Sequence, residues 1–267
     1  MTAALTIAGS DSSGGAGIQA DLRTFAAHGV HGLCAVTAVT AQDAGGVQAC
    51  HAVPPRVVEA QIAAATASPG VAAVKTGMLA TAAIVDVVAA AAARRALPRL
   101  VVDPVLRSGL GDRLLDDDAI ERLRRALLPR AAVVTPNRDE AERLAGMRIA
   151  SPADAREAAR RIHDLGPRAV VVTGGHLEED AGHAVDVLFD GSDVVELRAP
   201  RVNGLTVHGT GCTFAAAVAA ALAHGRPVAE AAADAQRFVA GALRDAVAAG
   251  PAGRVLDAFW RAERRGS

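Results

Sequence analysis

The octapeptide from Val207 to Phe214 has the sequence Val-His-Gly-Thr-Gly-Cys-Thr-Phe and runs straight into an alanine-rich segment, Ala215 to Leu222. Two glycines let the backbone turn tightly, and the residues that follow are strong helix formers. We therefore expect exposed amides and a helix N-terminus to meet at one point, where an anion would bind. The helix dipole also favours thiolate over thiol, which suits Cys212 to act as a base or nucleophile. The alternative is that Cys212 is only a small buried apolar residue at a helix start.

Polar residues also collect directly after the predicted strands, which is where open α/β sheets bind their ligands. Asn137 and Glu140 are three residues apart at a predicted helix start, so both can face the same side. They could equally form only a capping box, and Asp103 before proline could be only a strand terminator. Carboxylate and amide oxygens also suit magnesium, which commonly binds phosphate as well. The strand ends that carry groups capable of chemistry are Gln42 with Asp43, Gly77 with Met78, Asp103 with Pro104, and Thr135, Pro136 and Asn137 with Glu140.

Composition restricts the class of protein. The chain has 267 residues, is 51% hydrophobic and carries a formal net charge of -1, so we expect one domain over residues 1–267 with a large core. Aromatic residues make up only 2% and there is no basic excess, so a nucleic-acid partner is not expected. The apolar runs are too short to span a membrane and the N-terminus lacks an export pattern. These features predict a cytoplasmic protein with a small-molecule partner. We also expect Cys34 and Cys50 to be inert core or near-core thiols.

Short β-branched runs alternate with longer alanine-rich segments of helical period, which predicts a βαβ series. The strands are nearly continuous in apolar residues, so the expected fold is a three-layer α/β/α sandwich around a mostly parallel sheet. Asp190-Gly191 indicates a hairpin turn and therefore an antiparallel pair at one edge. Helices are predicted to begin near Cys212, Val228 and Gly253. The predicted strands are Leu5–Ala8, Cys34–Thr40, Ala73–Thr76, Leu100–Asp103, Val133–Thr135, Val170–Thr173, Val185–Phe189 and Val194–Arg198.

Two common nucleotide-binding signatures fit poorly. Gly15-Ala16-Gly17 lies too far beyond the first strand for a dinucleotide fingerprint, whose first glycine belongs in the turn directly after the strand. A Walker loop also fails, because Lys75, the only lysine of the chain, follows Val74 where that motif needs glycine. If the protein handles ATP, it does so without either device.

Seven segments spread in order along the chain form a set of motifs. They are Ile-Ala-Gly-Ser-Asp-Ser-Ser-Gly-Gly-Ala-Gly-Ile-Gln-Ala-Asp at 7–21, Val-Thr-Ala-Gln at 39–42, Lys-Thr-Gly-Met-Leu at 75–79, Val-Asp-Pro-Val at 102–105, Thr-Pro-Asn at 135–137 with Glu140 and Ala141, Gly-Gly-His at 174–176, and His-Gly-Thr-Gly-Cys-Thr at 208–213. Together they resemble the bacterial hydroxymethylpyrimidine and phosphomethylpyrimidine kinases of thiamin biosynthesis, members of the ribokinase-like superfamily. The first and last segments are the specific ones, and the others are shared with relatives.

The resemblance implies a kinase that uses ATP and Mg2+ to phosphorylate the hydroxymethyl group of an aminopyrimidine, and then the monophosphate to the diphosphate. In such enzymes the residue matching Gln42 hydrogen-bonds the ring and the one matching Met78 packs on it, tasks that suit an amide and a thioether. The resemblance further implies a homodimer. It implies additional substrate contacts from Gly9, Ala16, Asp21 and Val105.

For the chemical step, the resemblance implies that the backbone amides of Gly209, Thr210, Gly211 and Cys212 form the anion hole for the transferring phosphoryl group. Cys212 would take the proton of the substrate hydroxyl. Asp103 and the Asn137/Glu140 pair would organise magnesium, directly or through water.

The chain departs from the family at two places. Thr173 stands where a lysine usually precedes Gly-Gly-His, so a cation is missing. An arginine could replace it, the hydroxyl and glycine amides could suffice at some loss of rate, or the nucleotide preference could differ. The loop after Asp103 is also altered, which makes Arg107 a candidate for the missing charge. The expected nucleotide contacts are Thr173, Gly174, Gly175, Asn137 and Arg107.

Two other functions stay open at this point. A pyridoxal or pyridoxine kinase is the nearest, because that related group has the same kind of loop, although Gln42 together with Met78 favours the pyrimidine. The other is a catalytically idle pyrimidine-binding protein, which the absence of lysine at Thr173 makes conceivable.

Overall fold

The computed structural model describes residues 1–43, 45–67, 70–108, 111–112, 114–174, 182–202, 207–248 and 253–263. The strands are β1 Ala3–Asp11, β2 His31–Asp43, β3 Gly46–Ala52, β4 Val71–Thr76, β5 Leu100–Val102, β6 Val133–Val134, β7 Val170–Val172, β8 His183–Phe189, β9 Val194–Pro200, β10 Val247–Ala248 and β11 Arg254–Val255. The α-helices are α1 Gly17–Ala27, α2 Pro55–Ala67, α3 Ala82–Ala93, α4 Asp117–Arg122, α5 Arg138–Ala145, α6 Pro152–His163, α7 Thr210–Ala223, α8 Val228–Arg244 and α9 Trp260–Glu263. A π-helical turn, Leu123–Leu127, and a 3-10 turn, Leu128–Arg130, continue α4.

Nine strands form one sheet in the order β3-β2-β1-β4-β5-β6-β7-β8-β9. Six neighbouring strands of the sheet are parallel to one another: β2, β1, β4, β5, β6 and β7. Strand β3, at one edge, and strand β8, next to the other edge, run antiparallel to their neighbours. Because parallel strands all end at one rim, the residues that follow β1, β4, β5, β6 and β7 are brought together there. The predicted mostly parallel sheet is confirmed, and so is the β8–β9 hairpin at its edge.

Successive side chains of each strand point to opposite faces of the sheet, so the core is divided into two layers. The predicted three-layer fold requires this division. In β1, Leu5 and Ile7 pack into a cluster with residues of α2 to α6, while Ala4 belongs to a second cluster with residues of α1, α7 and α8. Every residue of α7 from Thr213 to Ala223 is buried. Alanine has almost no side chain to accommodate, so this helix can lie close against the sheet and present its N-terminus at the rim.

Three sequence predictions are wrong. Strand β3 was not expected, and it pairs with β2 from Ala38–Ala52 to Asp43–Gly46. The helix expected near Gly253 is instead strand β11, and the last helix begins only at Trp260. Cys34 and Cys50 are exposed rather than core thiols: Cys50 lies on the edge strand β3, and Cys34 lies on β2 before the stretch that pairs with β3.

No helix in the described part of the chain is long and apolar enough to cross a membrane.

Candidate active site

The Gly-Thr-Gly-Cys segment forms the start of α7, as predicted. Gly209 is the residue before the helix, with φ of 88°, and a Cβ there would lie 2.0 Å from the Gly15 carbonyl oxygen, so only glycine fits. Gly211 is different. It is exposed, and a Cβ there would meet no described atom within 4 Å. The open space beside Gly211 and the first amides of α7 therefore form a cradle for a ligand, and an anion suits it best.

The glycine-rich turn after β1 is the opposite wall of this cradle. Asp11 holds the turn, because its carboxylate accepts hydrogen bonds from the Ser13 amide at 2.8 Å, the Ser13 hydroxyl at 2.9 Å and the Ala16 amide at 2.8 Å. Gly17 then begins α1 with φ of 57°, and a Cβ there would be 2.4 Å from the Gly9 carbonyl oxygen. The N-termini of α1 and α7 thus converge at one place.

A fully buried ion pair lies behind the cradle. The Lys75 ammonium donates to both carboxylate oxygens of Asp21, each at 3.0 Å, and Thr6 Oγ1 donates to Asp21 at 2.6 Å. All three side chains are 0% exposed. The carboxylate of Asp21 is therefore held by Lys75 and Thr6 in the ligand-free protein, and its contribution to substrate binding stays a prediction.

Lys75 also reaches toward the site itself. Its ammonium lies 3.7 Å from Asp103 Oδ2, and it acts electrostatically on Cys212 as well. Burial opposes the charged form, but Asp21, Cys212 and Asp103 outweigh it and raise the pKa of Lys75. The only lysine of the chain is therefore a fixed positive charge beneath the predicted magnesium and phosphoryl sites. The sequence around Lys75 excludes a Walker loop but does not indicate this role, because the charged partners of Lys75 are distant in the chain.

Cys212 does not have the lowered pKa that its helix position predicts. Burial is the largest influence and raises the pKa of the thiol to about 12, with further raising by Asp103 and Asp21 that Lys75 and the Gly17 amide only partly offset. The helix dipole lowers the thiol pKa through contacts that are local in the sequence. The removal of water from the thiol raises the pKa and depends on the whole assembled fold. In the ligand-free protein Cys212 is a thiol.

Three buried polar atoms at adjacent strand ends have no hydrogen-bond partner among the described residues: Thr76 Oγ1 at the end of β4, Asp103 Oδ2 after β5 and Thr135 Oγ1 after β6. Of these, Asp103 Oδ2 has a charged neighbour, the Lys75 ammonium at 3.7 Å. Buried oxygens of this kind are normally satisfied, so the set is suited to a bound cation, water or phosphate. No three His, Cys, Asp or Glu side chains in the described ranges are grouped closely enough to hold a metal alone. The set fits magnesium, which keeps several waters and shares oxygens of the phosphates.

Asn137 and Glu140 form the capping box that was one of the two interpretations. Asn137 Oδ1 accepts from the Glu140 amide at 2.9 Å, and Glu140 Oε2 accepts from the Asn137 amide at 3.0 Å. Burial, and then the nearby charge of Asp103, raise the pKa of Glu140 well above its ordinary value. Two carboxyl groups that disfavour each other's charge are also a suitable setting for a cation, so the magnesium role of Glu140 stays a prediction beside its capping role.

Of the predicted pyrimidine contacts, Gly9 and Met78 lie together, whereas Gln42 lies beside His208. Gly9 and Met78 touch, because a Cβ at Gly9 would lie 3.1 Å from the Met78 sulfur. Gln42 instead contacts the anion loop, with its Nε2 2.7 Å from Nε2 of His208. The other predicted contacts lie nearby in the fold: Ala16 is buried and donates to Asp11, and the amide of Val105 donates to the carbonyl of Asp103 at 2.9 Å.

The nucleotide side of the rim agrees less well with prediction. The Gly174 amide donates to Asp186 Oδ1 at 2.8 Å, so it is not free for a phosphate, and a Cβ there would collide with Val185. Thr173 forms a bridge with Asn137 that aligns β7 with the start of α5. Arg107 is exposed, and its guanidinium donates to the Gly111 carbonyl at 2.9 Å. Gly175 and His176 lie outside the described residues.

Asp186 gives a stability prediction. Burial raises its pKa from 3.8 to about 6, although the Gly174 amide and Gln236 partly counter this effect. The folded state therefore holds a proton that the unfolded chain loses, so stability falls as pH rises from about 4 to about 6 and is then level. Asp186→Asn does not titrate and should be more stable above pH 7, by up to about 3 kcal/mol or roughly 5 °C in Tm. Thermal unfolding at pH 4.5 and 7.5 tests this, and an equal Tm difference at both values would contradict it.

The fold and the rim together define a kinase of the ribokinase-like class, with three α/β/α layers, an amide cradle at a helix start and carboxyl groups at the neighbouring strand ends. The comparisons give the family. The sequence profile described as phosphomethylpyrimidine kinase matches residues 11–256, so the chain belongs to the phosphomethylpyrimidine kinase family.

Individual relatives agree with this membership. A hydroxymethylpyrimidine/phosphomethylpyrimidine kinase from Streptomyces coelicolor is 50% identical over 239 residues, which cover 90% of this chain and 87% of that protein. The structure of pyridoxal kinase from Bacillus subtilis, an ADP complex, has a TM-score of 0.90 and 39% identity and covers 98% of this chain and 99% of its own. Phosphomethylpyrimidine kinase from Clostridium difficile has a TM-score of 0.79 and 37% identity, with 90% and 98% covered.

Proposed function

We propose that this chain transfers phosphate from ATP to the hydroxymethyl group of 4-amino-5-hydroxymethyl-2-methylpyrimidine, and then to the resulting monophosphate, within thiamin biosynthesis. One observation carries the proposal: the Gln42 amide contacts His208, the residue directly before the amide cradle. A group suited to a pyrimidine edge and a site suited to a phosphoryl group therefore belong to one pocket. Family membership supports the substrate and the use of ATP.

The ring would be held between Gln42 and Met78. A side-chain amide offers a donor and an acceptor together, which matches the ring nitrogen and the exocyclic amine of an aminopyrimidine. The Met78 thioether is partly exposed and lies against Gly9, so it can pack softly on a flat ring. The substrate hydroxyl would then point toward Cys212 and the start of α7.

At the reacting centre, the amides of Gly209 to Cys212 stabilise the charge that spreads over the phosphoryl oxygens, and Cys212 accepts the hydroxyl proton. Lys75 holds Asp103 in place from beneath. Magnesium, when bound by Asp103 and by Glu140 directly or through water, would neutralise phosphate charge. Because burial raises the pKa of the free thiol, Cys212 must first release its own proton to solvent before it accepts that of the hydroxyl, and Lys75 together with bound magnesium would favour this release.

A second candidate, a pyridoxal kinase, is favoured by the TM-score of 0.90 to the Bacillus subtilis enzyme. The two are separated by measuring kcat/KM for hydroxymethylpyrimidine and pyridoxal in parallel with the purified protein, ATP and magnesium. We expect the pyrimidine to be the better substrate. Turnover of pyridoxal alone would assign the second function, and binding of pyrimidine without any turnover would point to the idle binding protein.

Arg107 is proposed to supply the positive charge that Thr173 lacks. Its side chain is exposed and held by a single described contact, the Gly111 carbonyl, so it is available to a nucleotide phosphate. Arg107→Ala should raise KM for ATP about fivefold or more and leave KM for the pyrimidine within about twofold. Arg122→Ala, which removes an exposed arginine paired with Asp86, is the matched control. An unchanged KM for ATP in Arg107→Ala would rule the role out.

A homodimer and a cytoplasmic location stay predictions. One face of the β2–β3 hairpin supports the dimer, because Val39, Ala41, Ala49 and His51 are all exposed there and lie on paired positions. Val39 is 53% exposed, which is unusual for a valine in a sheet. Light scattering on wild type and Val39→Glu tests this: we expect a dimer that the substitution weakens.

A further inference from the structure

The contact between Gln42 and His208 poses a hydrogen-bonding problem. Two nitrogens, Gln42 Nε2 and His208 Nε2, lie 2.7 Å apart, so one of the two groups must act as acceptor. Either the imidazole nitrogen carries no proton and accepts from the amide, or the amide is turned by 180° and its oxygen faces a protonated Nε2. The two arrangements present opposite ends of Gln42 to a substrate.

Asp11 decides between them. Its Oδ2 lies 3.5 Å from the same His208 Nε2. Burial opposes ionisation of Asp11, but hydrogen bonds from His208, Ser13 and Ala16 lower its pKa to about 2, so it is a carboxylate. A lone pair on Nε2 would face this negative charge, whereas an Nε2 proton is attracted by it. The carboxylate therefore favours the protonated Nε2, and the Gln42 oxygen must face it.

The remaining contacts of Gln42 agree with the turned amide. Thr40 Oγ1 lies 3.4 Å from the other end of the amide and donates its own proton to the Ser10 carbonyl at 3.0 Å. Its lone pairs are then free to accept from the Gln42 NH2 group. In this arrangement the Nε2 proton of His208 is donated to the Gln42 oxygen and one Gln42 N–H is donated to Thr40, which leaves the second N–H of Gln42 for a substrate.

His208 is itself held firmly. Its backbone pairs with Val255 of β11, and its ring lies over Gly15, where a Cβ would be 3.1 Å from Cδ2. The backbone bridge and the close approach of the ring to Gly15 both place the imidazole beside Asp11 and Gln42.

We propose that His208, held by Asp11, is a positioning residue that fixes the Gln42 amide with its NH2 group toward the ring nitrogen of the substrate. The Gln42 oxygen keeps a second lone pair for the exocyclic amine of the pyrimidine. The inference rests on the proposed contact between Gln42 and the substrate.

Its test combines a measurement without substrate and one with substrate. In protein labelled with 15N-histidine, the His208 ring, assigned by the signal missing from His208→Ala, should be protonated at Nε2. The other tautomer, with the proton on Nδ1 alone, would overturn the inference.

The second measurement is a double-mutant cycle on the dissociation constant of hydroxymethylpyrimidine, by calorimetry without ATP. We expect Gln42→Ala to weaken binding about 30-fold, His208→Ala about fivefold, and the double variant no more than Gln42→Ala alone. His31→Ala, an exposed histidine at the start of β2, should bind normally. Thermal unfolding of each variant within a few degrees of wild type confirms that it is folded.

The outcomes are distinguishable. If Gln42→Ala weakens binding and the His208→Ala effect adds to it in full, His208 does not act through Gln42 and this inference alone fails. If Gln42→Ala binds like wild type, the proposed substrate contact fails and the inference fails with it.

Discussion

Cys212→Ala is expected to lower kcat by about 10²- to 10⁴-fold while the dissociation constant for hydroxymethylpyrimidine changes by less than about threefold. Cys212 is the second residue after Thr210, where α7 begins, and it lies where the N-termini of α1 and α7 converge. Removing its sulfur takes away the proposed proton acceptor but leaves Gln42 and Met78 intact. Rapid-quench measurement of product, together with calorimetry, separates the two quantities.

The matched control is Cys34→Ala, because Cys34 is exposed on β2 and away from the rim. It should retain full turnover. Full turnover in Cys212→Ala would remove Cys212 from the chemical step. An equal loss of turnover and of pyrimidine binding would give Cys212 the structural role that was its alternative interpretation.

Lys75→Met is expected to have the largest effect on stability. It leaves Asp21 without its cation at a position that is 0% exposed, and breaking a buried pair in this way costs about 3–5 kcal/mol, or roughly 10 °C in Tm. The double variant Lys75→Met/Asp21→Asn removes both charges and keeps an acceptor for Thr6. It should recover most of the lost Tm and still turn over slowly, because Asp103 has lost the charge beneath it.

The exposed pair of Arg122 and Asp86 is the control for this experiment. Its nitrogen and oxygen are 2.9 Å apart, yet both side chains are largely in solvent, so Arg122→Met should cost less than about 1 kcal/mol. Comparable losses in Lys75→Met and Arg122→Met would contradict the account of the buried pair. Full activity in the double variant would show that Lys75 serves stability alone.

The sequence predicted the strands at the centre of the sheet well, because strands buried on both faces are continuous apolar runs. It did not predict β3, Gly46–Ala52, where much of the segment is exposed and no run of β-branched residues marks a strand. That strand exists because β2 offers it hydrogen-bonding partners. Similarly, the helix expected near Gly253 gave way to β11, which pairs with β10. In both cases the strand depends on a partner strand, which the residue pattern of the segment itself does not show.

The site shows the same division. The glycines and the capping box of Asn137 and Glu140 follow from local rules, and the structure has them. The partners of Lys75 do not, because Asp21 of α1 is 54 residues away and only the folded chain brings it to Lys75 of β4. The raised pKa of Cys212 has the same origin, since burial depends on the whole fold. In the sequence His208 is only one member of the segment 207–214, and its contact with Gln42 spans 166 residues.

The central claim is that one pocket performs both phosphorylations of the pyrimidine. The most direct test supplies the purified protein with ATP, magnesium and hydroxymethylpyrimidine monophosphate as the sole acceptor and follows the products by mass spectrometry. We predict the diphosphate, and we predict that Cys212→Ala produces almost none. A wild-type protein that phosphorylates the alcohol but never the monophosphate would contradict the claim.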